Sequence, residues 1–228
     1  MRAVITTEES MYTDSLKGIL ATTADINVIT VFIRLVSIII CKGIVRKRGT
    51  GDMSPFPFIS GHLSTSLWLR YGMLIDDFSL IFVNTIGSLL FLGYTVVFYY
   101  YSIKRSMIVK QFTGCMLLLM IAIIYSAWSE DEVTVRKRIG TLCCVITVIF
   151  FAAPLTTVIH VLKTKSTDSL PFPIILTGFI VTSQWYAYGV LLNDEFIQIP
   201  NFLGTVLTFS QLCLFCIYAS KSQDVENV

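Results

Sequence analysis

Two asparagines sit in apolar tracts where a carboxamide has no solvent to meet. The stretch "IDDFSLIFVNTIG" places Asn84 seven residues after Asp77 and three before Gly87. The stretch "LNDEFIQIPNFLG" does the same with Asn201, Asp194 and Gly204. A tryptophan precedes each asparagine by sixteen residues, Trp68 in one case and Trp185 in the other. A carboxamide offers a carbonyl acceptor and two N–H donors, and an indole offers an apolar face with one N–H at its edge. That set suits a neutral polyhydroxylated ligand, whose hydroxyls both donate and accept and whose C–H face can lie on a ring. A lone membrane asparagine more often serves as interhelical glue, worth about 0.6 kcal/mol. A carboxamide paired twice with an indole at one spacing favours the ligand.

The pairing is part of a longer self-match. Shifted by 117 residues, Thr50 falls on Thr167, Trp68 on Trp185, Tyr71 on Tyr188 and Gly72 on Gly189. In the same register Asp77 falls on Asp194, Asn84 on Asn201, Gly87 on Gly204 and Tyr101 on Tyr218. "PFP" recurs at 55–57 and 171–173, one residue out of step. Unrelated apolar helices share leucines and valines, not polar and aromatic residues in one register, so this is an internal repeat.

The elements that carry the repeat are membrane helices. Of the 228 residues 54% are hydrophobic and only 14% charged, with a mean hydropathy of +0.74. The reading is all-α, with seven transmembrane helices at about 23–45, 54–75, 79–103, 111–128, 139–162, 169–192 and 196–219. The first three form one repeat (23–103) and the last three the other (139–219), with 111–128 as a linker helix between them. Residues 1–22 are then an external segment, polar and without the apolar run of a signal peptide, and 220–228 a cytoplasmic tail. One odd helix between the units makes both enter the membrane in the same direction, as parallel repeats about an axis along the membrane normal. On this plan the two indoles and two carboxamides share a layer, about 10–13 Å below the outer helix ends.

Ten of the seventeen Lys and Arg residues fall on the side holding "RKRGTGD", "KRSMIVK", "KTKSTD" and the C-terminus. Positive residues favour the cytoplasm, which places the N-terminus outside. A net charge of +2 gives no nucleic-acid footprint. The six cysteines (Cys41, Cys115, Cys143, Cys144, Cys213, Cys216) read as packed helix thiols, and the two histidines are isolated, so no metal, cofactor or catalytic constellation is expected. No carboxylate or lysine shares the Asn/Trp layer, which leaves no charge there for coupling to protons or sodium. Arg34, in the outer half of the first helix, is a costly charge with Asp25 as its nearest candidate partner.

"GTGDMSPFPFISGHLSTSLWLRYG", "NTIGSLLFLGYTVVFYY", "KTKSTDSLPFP" and "FIQIPNFLG" resemble the SWEET sugar transporters (MtN3/saliva type), animal members in particular, over roughly residues 28–219. SWEETs are themselves a standing example of parallel-repeat transporters. The resemblance implies passive movement of mono- or disaccharides by alternating access. It puts the sugar-binding asparagines at Asn84 and Asn201 and the pocket tryptophan at Trp185, with Trp68 at the equivalent first-half position. It implies an inner gate of four prolines, met here by Pro57, Pro154 and Pro171, with Ser37 where the first helix would carry the fourth. It implies an outer gate of Tyr71 with Asp194, mirrored by Tyr188 and Asp77, and a homotrimer with one path per protomer. The expected address is the plasma membrane, with the Golgi or another endomembrane as the alternative. Rival classes are a PQ-loop carrier of another small solute, which wants charge in the pocket layer, a seven-helix receptor, which predicts no repeat, and a non-transporting scaffold, in which the asparagine pair is interhelical glue.

Overall fold

The computed structural model describes residues 14, 16–18, 29–51, 53–128, 131–168 and 170–218, leaving aside the side chains of 29–37 and 153. Its regular structure is helical throughout: α1 (Ile29–Lys47), α2 (Phe56–Leu74), α3 (Phe78–Tyr101), α4 (Arg105–Trp128), α5 (Glu132–Phe150), α6 (Ala152–Thr164), α7 (Phe172–Leu192) and α8 (Glu195–Ile217). Helices satisfy their backbone groups internally, the requirement for crossing lipid. Among the described residues, five segments are long and apolar enough to do so: Phe78–Tyr101, Arg105–Trp128, Glu132–Thr164, Phe172–Leu192 and Glu195–Ile217. Large apolar side chains such as Phe78, Leu89, Ile121 and Trp128 project outward, as lipid contact requires.

All seven expected helices are present, the fifth in two pieces. Helix α4 begins at Arg105 and α5 at Glu132, each about seven residues earlier than the apolar pattern indicates. Charged ends of membrane helices run past the hydrocarbon with their side chains fanned into the interface, so hydropathy reads them as loops. Before α5, the exposed Asp131 accepts a hydrogen bond from Thr134, which holds its carboxyl below the usual carboxylate range. That is the signature of an acidic residue at a helix start. Asp25 lies outside the described residues. Arg34 and Ser37 lie in α1, where the backbone alone is described.

The chain divides into two compact units, with the break between Cys143 and Cys144 in α5. In the first unit α2 and α3 form a hairpin, α1 packs on α3 and α4 on α2. Its core gathers Ile44, Phe58, Ile59, Tyr94, Phe98 and Ile108. The linker helix α4 is fastened there by a charge. Arg70 donates through Nε to Ser126 Oγ at 2.7 Å and through Nη2 to the Ser126 carbonyl at 3.0 Å. Carbonyls in a last helical turn lack internal partners and favour a cation. Nearer the other end of α4, Phe112 stacks on His62 at 6.0 Å. In the second unit α7 and α8 form the equivalent hairpin with α6 against α8, around Val161, Leu170, Ile175 and Leu214.

The repeat extends into backbone conformation. Four described non-glycine residues have positive φ: Arg48 (50°), Asp76 (53°), Lys165 (51°) and Asn193 (52°). They form two pairs 117 residues apart, one pair ending α1 and α6, the other turning the α2–α3 and α7–α8 hairpins. In both hairpins the sixth residue closes back on the first, Asp77 N–H to the Gly72 carbonyl and Asp194 N–H to the Gly189 carbonyl, each at 3.0 Å.

Candidate substrate site

The seven-residue spacing from aspartate to asparagine has a local physical cause. Asp77 is the N-cap of α3, and its Oδ1 accepts from the N–H of Leu80 at 2.8 Å. One turn on, Asn84 Nδ2 donates to the carbonyl of that same Leu80 at 2.9 Å. Asp194 is likewise the N-cap of α8, accepting from Phe196 at 3.0 Å and from Ile197 at 3.2 Å. Asn201 Nδ2 then donates to the Ile197 carbonyl at 2.7 Å. Carboxylate and carboxamide thus bracket one buried residue, Leu80 or Ile197, by its N–H and its C=O. The first bond satisfies an orphan donor of the helix start. The second fixes the rotation of the amide about its last torsion. Each half-buried asparagine spends one N–H on its own helix, and its Oδ1 and second N–H are not used by that bond.

Trp68 and Trp185 stand eight residues before the turn residues Asp76 and Asn193, and the asparagines stand eight after them. At 1.5 Å per residue, indole and carboxamide in each hairpin lie at one depth, about 12 Å below the turn. Each indole is held edge-on by the tyrosine one turn later: Trp68 on Tyr71 at 5.7 Å and 89°, Trp185 on Tyr188 at 5.5 Å and 84°. Such T-shaped pairs set the plane of the ring. Trp185 is buried and Trp68 half-buried; Tyr71 and Tyr188 are buried.

Close packing holds each hairpin at this spacing. A Cβ on Gly72 would lie 2.9 Å from Leu80 Cβ, and one on Gly189 would lie 2.9 Å from the Gln198 backbone nitrogen. One level below the asparagines, Gly87 faces Thr65 Cγ2 and Gly204 faces Thr182 Cγ2. The threonine pair was missed by sequence reasoning, although it obeys the same 117-residue offset. Thr65 and Thr182 return their hydroxyls to the carbonyls of Gly61 and Gly178 at 2.8 and 2.9 Å, and present a methyl to the facing glycine.

The prolines are not alike. Pro57 is the second residue of α2 and Pro171 the N-cap of α7. At helix starts the missing N–H removes no helical bond. Pro154 is the third residue of α6, just after the interruption at Phe151 inside one long apolar span; the bond it cannot make is the one to the residue-150 carbonyl that would run α5 on into α6. The Pro154 carbonyl accepts from Gln211 Nε2 of α8 at 3.5 Å. Among the described residues no group of three or more His, Cys, Asp or Glu residues is placed to hold a metal.

Comparison with known proteins agrees with this architecture. A profile of the MtN3/saliva family, described as a sugar efflux transporter for intercellular exchange, matches residues 20–106 and 137–223. Both ends of the two matches are offset by the same 117 residues as the internal repeat. The chain is 46% identical to the sugar transporter SWEET1 of Drosophila pseudoobscura pseudoobscura over 90% of either chain. It is 31% identical to the Xenopus tropicalis SWEET1 over 76% of this chain and 82% of that one. In fold it superimposes on a eukaryotic SWEET transporter structure with a TM-score of 0.79, covering 88% of this chain and 97% of the other at 24% identity. An all-helical membrane chain with two MtN3 repeats, each carrying the Asp–Asn bracket and the tryptophan, belongs to the SWEET family of sugar transporters.

Proposed function

We propose that this chain is a facilitative, bidirectional sugar uniporter in which Asn84, Asn201, Trp68 and Trp185 hold one sugar during alternating access. The observation that carries the reading is the duplicated bracket, which orients two carboxamides identically while keeping hydrogen-bonding capacity on each. Relatives named as bidirectional sugar transporters, such as the Sorghum bicolor SWEET2a at 31% identity, support the direction of flux. The primary test is uptake and counterflow of radiolabelled glucose in proteoliposomes. Uptake should equilibrate without accumulating. An imposed proton gradient should leave the final glucose level unchanged; accumulation above the external concentration on an inward gradient would exclude a uniporter.

Two tryptophans in the layer leave less room than one, so the substrate is a monosaccharide. Glucose flux is expected to exceed sucrose flux at least tenfold in the same vesicles, because an excluded second ring must displace a packed indole. Equal fluxes would overturn the size argument.

In this proposal Pro154, at the interruption between α5 and α6, is the principal inner hinge. Pro57, Pro171 and Ser37 complete the inner gate as helix-start and first-helix positions. The outer gate pairs Tyr71 with Asp194 and Tyr188 with Asp77. Either aspartate would enter that bond already anchored as a helix cap, so opening the gate costs no helix start. The chain acts as a trimer in the plasma membrane, with its N-terminus outside and its C-terminus in the cytoplasm.

A further inference from the structure

The two half-sites differ at one position with a chemical consequence. Asn84 follows Val83, which has a backbone N–H; Asn201 follows Pro200, which has none. Pro200 lies inside α8, fully buried, directly before the asparagine. An α-helix there calls for an N–H at residue 200 directed to the carbonyl of residue 196, and proline cannot supply it. A thiol from another helix reaches that carbonyl: Cys144 Sγ of α5 donates to Phe196 O at 3.2 Å. In the first half the position equivalent to Cys144 is Asn27, outside the described residues.

We infer that Cys144 is a positioning residue for the Asn201 half-site, its thiol standing in across helices for the hydrogen bond that Pro200 cannot donate. A helix missing an internal bond is locally loose and bends there. The loose turn, 196 to 200, immediately precedes Asn201, and the neighbouring carbonyl of Ile197 orients the amide. Tying Phe196 to α5 fixes the start of α8 relative to that helix, and with it the height and rotation of Asn201. The mobility that proline brings stays in the turn, while its upper end is held. The inference rests on the reading that Asn201 contacts sugar.

The test is a cycle of variants in proteoliposomes, read as glucose KM and maximal rate, with the unfolding midpoint of the purified protein as a second readout. Cys144→Ala removes the donor, Cys144→Val removes it while filling the space, and Cys144→Ser keeps a donor. Pro200→Ala restores the backbone N–H at residue 200. A thiol is a weak donor, so Cys144→Ala and Cys144→Val are expected to raise KM about two- to fivefold, with the maximal rate changing less. Cys144→Ser is expected to return KM toward the wild-type value. In the Pro200→Ala background Cys144→Ala should change neither KM nor midpoint, because the helix then supplies its own donor.

Wild-type behaviour of both Cys144→Ala and Cys144→Val would overturn the inference. So would a Val variant that matches wild type while Ser matches Ala, which would mean packing, or an equal Cys144→Ala midpoint loss in both backgrounds. A wild-type protein that moves no sugar would sink the transport reading instead. The midpoint cycle would then still decide whether thiol and proline are coupled.

Discussion

Asn84→Ala and Asn201→Ala are each expected to cut glucose uptake about 10- to 100-fold, with little loss of folded protein. An amide buried against a sugar makes one or two hydrogen bonds through the groups its own helix does not use. Its removal leaves sugar hydroxyls unpaired in a site closed to water, at about 1–3 kcal/mol. Folding loses far less. The Leu80 and Ile197 carbonyls, which accept the amide N–H groups at 2.9 and 2.7 Å, also lie in reach of the backbone N–H four residues on, so neither is stranded. Uptake that falls while the unfolding midpoint holds therefore locates the sugar; uptake unchanged in both variants removes these residues from the site. Asn84→Asp sharpens the point. It keeps an acceptor and loses a donor while ionised, and regains an O–H donor when protonated. Its residual flux is thus expected to rise as pH falls, whereas wild-type flux stays flat.

The candidate site was legible in the sequence because its residues are written twice. Trp68 with Trp185 and Asn84 with Asn201 share one offset, and polar or aromatic residues kept in register through apolar helices have few causes besides a duplicated task. The helix count was legible from hydropathy, and the family from its motifs. The purpose of the seven-residue spacing was not, because it lies in backbone hydrogen bonds. Asp77 and Asp194, read in the sequence as outer-gate residues, also cap helices whose third residue offers the carbonyl that holds the asparagine. Helix ends were the least legible part: Arg105 and Glu132 carry charge into helices that outrun the apolar core. Arg70 showed no partner in sequence because Ser126, which it clamps, lies 56 residues away on a helix outside the repeat. Cys144 looked like one packed thiol among six. Its place beside a proline-modified turn comes from tertiary contact between α5 and α8.

The second large effect is expected at the glycines that close the hairpins. A methyl at Gly189 would meet the Gln198 backbone nitrogen at 2.9 Å, Gln198 Cγ at 3.0 Å and Ile197 Cγ2 at 3.0 Å. A backbone atom cannot swing aside, so α7 and α8 must move apart or α8 must rotate. At Gly72 the obstacles are Leu80 Cβ at 2.9 Å and the Ile81 nitrogen at 3.2 Å. Overpacking of this kind costs about 1–3 kcal/mol, so Gly72→Ala and Gly189→Ala are each expected to lower the unfolding midpoint in detergent by several degrees. The residues displaced are those whose N–H and C=O join the caps to the asparagines, so glucose uptake is expected to fall with stability, unlike in Asn84→Ala. Gly93→Ala and Gly114→Ala are the controls. Nothing lies within 4 Å of a Cβ at either position, and alanine is the better helix former by about 0.5–1 kcal/mol, so stability should hold or rise slightly. A Gly189→Ala protein that keeps both midpoint and uptake would show that the hairpin has slack, and that its repeated glycines do not set the helix spacing. If Gly189→Ala costs more than Gly72→Ala, the ranking follows from what blocks the methyl: a backbone nitrogen at 2.9 Å in one hairpin, a side-chain carbon at the same distance in the other.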